Sequence, residues 1–139
     1  MDWFCCLMRN VLVIESNAAL LILYQEWLSL IGYYAHLADT MVDAEAMLDA
    51  RQFHAVLFDI DTAGENGIHF LREFWLQFKI DGTKVAVISQ DNALRDTCES
   101  MGIPFFNKPI RMKDMENILG SLHYGNVRPT PTRPLPALA

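Results

Sequence analysis

The chain has 139 residues, 52% of them hydrophobic, with a formal net charge of −6. This length predicts one domain with at most short extensions, and a chain of this size buries roughly 70% of its unfolded surface, enough for a core without disulfide or metal staples. The excess of 17 Asp and Glu over 11 Lys and Arg argues against a nucleic-acid-binding surface, which needs clustered cations.

Residues 1–9 have no clear period and are expected to be an extension, in which Trp3, Phe4 and Leu7 are free to pack on the domain edge or on a partner. This start is too short and lacks the basic flank for a secretion signal, and no apolar stretch reaches the length of a membrane span. Cys5, Cys6 and Cys98 are an odd count without a Cys-x-x-Cys pair. A disulfide framework or zinc site is therefore not expected, and a reducing, cytoplasmic setting is.

The domain is expected over 10–123. Val11 to Ile14 is a continuous aliphatic run, read as a buried strand that stops at Glu15 and Ser16. Ser16 or Asn17 can cap a helix over about Ala18 to Ile31, ended by Gly32. Leu20, Leu21, Tyr24, Trp27, Leu28 and Ile31 share one face of it, and Leu23 and Leu30 widen that face. Such a broad apolar arc fits a deeply packed core helix, and also a helix that meets a partner.

Tyr33 to Leu37 is a short strand, and Thr40 caps a helix over about Met41 to Arg51. Ala55 to Phe58 is a strand buried on both faces, ending in Asp59, with Asp61 and a polar loop after it. A helix follows over about Ile68 to Lys79, its aromatic face suited to sheet packing. Asp81-Gly82 marks a turn, and Val85 to Ile88 is a fourth buried strand ending in Ser89. A weaker helix is predicted over Asn92 to Met101, then a short strand Phe105-Phe106-Asn107 ending in Lys108-Pro109, then an amphipathic helix over Met112 to Leu122. The segment 124–139 is Pro-rich and polar, has no means of building a core, and is expected to be a flexible tail.

Strand and helix alternate five times, which predicts an α/β fold with a parallel sheet and helices on both faces. Right-handed crossovers deliver every strand C-terminus to one edge, where open α/β sheets bind ligands. Glu15, Asp59, Ser89 and Lys108 each follow an apolar run and so converge there. A lone Asp in such a place is often only a cap; four polar groups together form a candidate site. Two adjacent carboxylates repel unless a cation sits between them, and Mg, which takes oxygen ligands and keeps several waters, suits Glu15 and Asp59. An aspartate carboxylate can attack phosphorus to give an aspartyl phosphate, with Lys108 as a compact cation and Ser89 as a donor to the transferred group.

The segments Val-Leu-Val-Ile-Glu-Ser, Val-Leu-Phe-Asp-Ile-Asp with Gly67 following, Val-Ala-Val-Ile-Ser and Phe-Phe-Asn-Lys-Pro, in this order, resemble the receiver domain of bacterial two-component response regulators over about Val11 to Leu122. The resemblance implies the flavodoxin-like receiver fold, a five-stranded parallel sheet in the order 2-1-3-4-5. It implies Asp59 as acceptor of phosphate from a phosphohistidine, and Mg held by Asp59, Glu15 and the backbone carbonyl of Asp61. It further implies Ser89 and Lys108 as contacts of the phosphoryl group, Ser89 and Phe105 as switch residues, and a cis peptide between Lys108 and Pro109. The implied partners are a histidine kinase or histidine phosphotransfer protein and a downstream protein target; helix one also allows a homodimer. No contact with nucleic acid or membrane is expected.

The chain departs from the family pattern in several places. Ser16 stands where the family places a direct metal ligand, which predicts weaker or water-mediated Mg binding. Thr62-Ala63 replaces a usual Met-Pro pair. Asp61 and Asp91 lie two residues after Asp59 and Ser89, positions that flank the phosphoryl group in the family, and two acids there should disfavour small anionic donors. The alternatives are a pseudo-receiver that docks proteins without phosphorylation, which Ser16 favours, and a haloacid-dehalogenase-type phosphohydrolase. The Phe-Asp-Ile-Asp start supports the latter; Ala63, and the missing acidic pair on a later strand, oppose it.

Overall fold

The computed structural model describes residues 9–123, with side chains through 119. The predicted tail at 124–139, and all but the last residue of the predicted extension, lie outside the described residues. The elements run β1 (Arg9–Ile14), α1 (Ala18–Leu30), β2 (Tyr33–Ala38), α2 (Met41–Ala50) and β3 (Ala55–Asp59). A 3-10 segment (Ile60–Asn66) follows, then α3 (Gly67–Asp81), β4 (Lys84–Ser89), α4 (Arg95–Ser100), β5 (Phe105–Asn107) and α5 (Met112–His123). The five strands form one parallel sheet in the order β2-β1-β3-β4-β5.

The apolar runs of the central strands are explained by their two covered faces. Leu12, Ile14, Val56, Phe58, Val85 and Val87 point to a core shared with Phe70, Leu71 and Phe78 of α3 and Cys98 of α4. The alternate residues Val11, Val13, Ala55, Leu57, Ala86 and Ile88 meet Leu21, Tyr24 and Leu28 of α1 and Met115, Ile118 and Leu119 of α5. Period-two alternation thus sends every second side chain to opposite helical layers, and no strand position in these runs can be polar.

Helix starts follow the expected side-chain caps. Asn17 accepts the Leu20 amide at 3.0 Å, and Thr40 accepts the Asp43 amide at 3.1 Å. Three local expectations are corrected. The fourth helix is six residues long, not the stretch from Asn92 to Met101, because the Asp91 carboxylate accepts the Ala93 amide at 2.9 Å and turns the chain before Arg95. The loop after Asp59 is a 3-10 segment that buries Ile60 and bends at Gly64, whose φ of 60° and ψ of −131° suit glycine alone. Helix α1 is not fully packed: Ile22, Leu23 and Leu30 are exposed, Leu30 by 76%.

Candidate functional site

Strand register brings the site together. Ile14 lies beside Phe58, Asp59 beside Ile88, and Ser89 beside Asn107. The next residue along β1 is Glu15 and the next along β5 is Lys108, so all four chemically active groups stand in one row at the C-terminal edge. The Glu15 amide donates to the Ala38 carbonyl at 3.0 Å and the Lys108 amide to the Ser89 carbonyl at 2.8 Å, continuing the ladder through these positions. The Lys108–Pro109 peptide is cis.

Three of the four are buried: Glu15 is 1% exposed, Asp59 2% and Ser89 3%. The Lys108 ammonium reaches in between the acids, donating to Asp59 Oδ2 at 2.8 Å and standing 3.6 Å from Glu15 Oε1. Burial pulls the Lys108 pKa down, but the hydrogen bond and charge of Asp59, helped by the charges of Glu15 and Asp61, outweigh it and raise the pKa. Burial also pushes the Glu15 carboxyl up, and the Asp59 carboxyl beside it pushes further, to about 7, against the Asn17 amide and Lys108. The Tyr24 hydroxyl, which lines the same cleft, is pushed up to about 12 by burial and by the two acids.

Among the described residues, one buried side-chain polar atom has no hydrogen-bond partner. Glu15 Oε1 is buried and unsatisfied, while Oε2 accepts the Asn17 amide at 3.0 Å. A buried carboxylate oxygen in that state is costly. Two buried acids that share one ammonium, one of them with an unsatisfied oxygen, in the wall of an open cleft fit a hard cation. The cleft has a volume of about 730 Å³, room enough for a hydrated ion and a small anion. Among the described residues no three His, Cys, Asp or Glu side chains converge. A cation here would complete its shell with water and backbone carbonyl, which is the habit of Mg.

The two acids that follow Asp59 and Ser89 by two residues behave differently. Asp61 turns its carboxylate across the site: Ser89 Oγ–H donates to Oδ1 at 2.8 Å and the Gln90 amide to Oδ2 at 2.9 Å. Its own amide donates to Asp59 Oδ1 at 3.1 Å. Asp91 instead spends its carboxylate on the Ala93 amide. Ser16 is exposed, and its amide is held by Thr62 Oγ1 at 3.0 Å, tying the end of β1 to the loop after Asp59. Phe105 is buried, under the Arg95 guanidinium at 4.8 Å from the ring centre.

Sequence reasoning missed three contributors. Gln90 acts through its backbone amide, which no side-chain pattern reveals. Thr62 stands out in the sequence only as a departure from the family pattern, which says nothing of its hold on the Ser16 amide. Arg95 looks like a helix-surface cation, yet it donates to Asn107 Oδ1 at 2.7 Å and so joins α4 to β5 beside the site. Elsewhere, a depression of about 310 Å³ at the opposite sheet edge, lined by Arg9, His54 and Asp81 among others, gathers no comparable set. No helix among the described residues is long and apolar enough to cross a membrane.

Comparisons with known proteins agree with this architecture. No curated protein matches the chain. The chain is similar to a response regulator from Thermotoga maritima, at 21% identity and a TM-score of 0.74, over 85% of this chain and 99% of that one. It is similar to a CheY-like response regulator receiver domain from Methylobacillus flagellatus, at 22% identity and a TM-score of 0.71, over 84% and 99%. The response regulator protein TrrA from Thermotoga maritima, in complex with Mg(2+)-BeF, is 19% identical with a TM-score of 0.71, over 83% and 99%. At these identities the likeness speaks for the fold alone. The profile described as the response regulator receiver domain matches residues 11–120, most of the chain and every element that builds the site, and the chain therefore belongs to that receiver-domain family.

Proposed function

We propose that the chain is a working phosphoacceptor, taking a phosphoryl group on Asp59 from a phosphohistidine of a histidine kinase or phosphotransfer protein. The observation that carries this is the buried Asp59 carboxylate, with Lys108 Nζ at 2.8 Å and an unsatisfied Glu15 oxygen beside it, facing an open cleft. In the transfer, an Asp59 oxygen forms the new bond to phosphorus as the phosphorus–nitrogen bond breaks. The electron pair returns to the imidazole ring, which takes up a proton. Lys108 would leave its hydrogen bond with Asp59 partly free to follow an oxygen of the transferred group. Mg bound by Glu15, Asp59 and the Asp61 carbonyl would supply the positive charge that lets an anionic donor approach two acids. TrrA, which shares this fold, is found in complex with Mg(2+)-BeF, and this reading assigns the same kind of site to the present chain.

The added phosphoryl group carries about −1.5 to −2 charges, enough to bias a two-state surface toward a protein target. Ser89 and Phe105 lie on neighbouring strands, β4 and β5, and are the residues through which that bias would travel. The test is labelling by acetyl phosphate and by phosphorylated histidine kinases, read by intact mass. A phosphoryl mass that needs Mg and disappears in Asp59→Asn supports the proposal. An intact fold that takes no label from any donor would instead favour the docking-module reading, for which Ser16, exposed where a metal ligand is expected, is the specific observation.

A further inference from the structure

The two donors best placed to hold a phosphoryl group are already taken. Ser89 Oγ–H and the Gln90 amide both end on the Asp61 carboxylate, at 2.8 and 2.9 Å. Two oxygens on one carbon, each accepting one of these bonds, present the same pattern as two oxygens of a phosphoryl group. The Asp61 charge also reaches Lys108, the third group proposed to meet the phosphate. Asp61 itself is exposed, so its side chain can swing outward into water when displaced.

We propose that Asp61 is a specificity-determining residue: its carboxylate occupies the Ser89 and Gln90 donors as an internal competitor, and only a donor with binding energy to spare displaces it. A protein phosphohistidine brings a docking surface whose contacts can offset that displacement, whereas a small acyl phosphate has only its own few atoms. The discrimination is by occupancy rather than by rim charge. Asp91, whose amide donates to Ser89 Oγ at 3.3 Å, carries the same charge but turns its carboxylate to Ala93. This inference rests on the phosphoacceptor reading above.

The test compares the full chain with Asp61→Ala, Asp61→Asn and Asp91→Asn, each checked for folding by thermal melting. Beryllofluoride with Mg, followed by fluorine NMR, measures occupancy of the phosphoryl position without chemistry. Mg alone is titrated separately. Replacing Asp61 leaves its backbone carbonyl, the expected Mg contact, in place. Loss of two charge-assisted hydrogen bonds at an exposed residue predicts that Asp61→Ala binds beryllofluoride on the order of tenfold more tightly. Labelling by acetyl phosphate, in which Asp59 displaces acetate with its electron pair, should accelerate by a similar factor, and transfer from a phosphohistidine protein by less. Screening by water limits the change in Asp91→Asn to about twofold.

An equal gain in Asp91→Asn would reduce the effect to charge and overturn the proposal. So would equal affinity of the parent and Asp61→Ala, or weaker Mg binding in Asp61→Ala, which would make the carboxylate a metal ligand. A parent that binds nothing beside an Asp61→Ala that binds both Mg and beryllofluoride supports it. If every protein is silent toward every donor and toward beryllofluoride, the phosphoacceptor reading itself fails and the competitor falls with it.

Discussion

Glu15 is the residue whose chemistry is furthest from its surroundings. Its carboxyl ordinarily titrates near 4.5 and is raised to about 7, first by burial and then by Asp59. A folded pKa above the unfolded one means that the folded state holds the proton more tightly. The stability from this group is therefore complete below about pH 4.5 and is lost as pH rises through about 7. Glu15→Gln keeps the shape and an acceptor for the Asn17 amide but never ionises. Without Mg, the variant should be more stable than the parent at about pH 8, by on the order of 2 kcal/mol, and the difference should shrink steadily toward about pH 5. Urea unfolding in a chelator across this range measures it. Parallel curves at every pH would show that the orphaned oxygen carries no such penalty.

At the scale of elements, the junction between β3 and α3 shows two effects in competition. Gly67 opens α3 in ordinary helical geometry, so alanine there should add about 1 kcal/mol of helix propensity. A Cβ at that position, however, runs into the Ile60 side chain and comes within 3.2 Å of the Ile60 carbonyl. Ile60 is 2% exposed and packs in the buried core, so its side chain has no solvent to swing into. Overpacking a filled site costs roughly 1–3 kcal/mol, so the clash should win and Gly67→Ala should lower the melting temperature. A rise would mean that Ile60 repacks freely and that the loop is not pinned by this contact.

The same junction marks where the sequence stops being legible. Central strands covered on both faces must be apolar throughout, so Val11–Ile14, Ala55–Phe58 and Val85–Ile88 stand out, and the polar residue after each run marks the sheet edge. Topology then places Glu15, Asp59, Ser89 and Lys108 together without further information. The aim of the Asp61 carboxylate depends instead on a meeting with Ser89 and Gln90, almost thirty residues away, that no local pattern encodes. The start of α4 depends on Asp91 capturing the Ala93 amide in place of a helical turn. In α1 the apolar residues are too numerous for periodicity to separate buried Leu21 and Leu28 from exposed Ile22 and Leu30.

For the whole molecule, the site is a local debt of electrostatic stability carried by an otherwise well-packed sheet. Two acids at most 2% exposed share one ammonium, and one acid oxygen has no hydrogen bond. A cation that binds only the folded state stabilises it by RT ln(1 + [L]/Kd), about 2.7 kcal/mol at a hundredfold excess over Kd. For a domain of this size that corresponds to a rise in melting temperature on the order of 10 °C at that excess. The parent should show such a rise on adding Mg, continuing with the logarithm of Mg concentration above Kd and reversed by a chelator. Asp59→Asn should begin more stable in the absence of metal, because one of two facing acids is gone, and should respond to Mg far less. On this reading, Ser16 in place of a metal ligand moves the Mg concentration at which the response begins, since Glu15 and Asp59 still line the cleft. A parent indifferent to Mg at tens of millimolar would leave Lys108 as the sole counter-charge to both acids, and would turn the same burial into an argument for a receiver that docks without being phosphorylated.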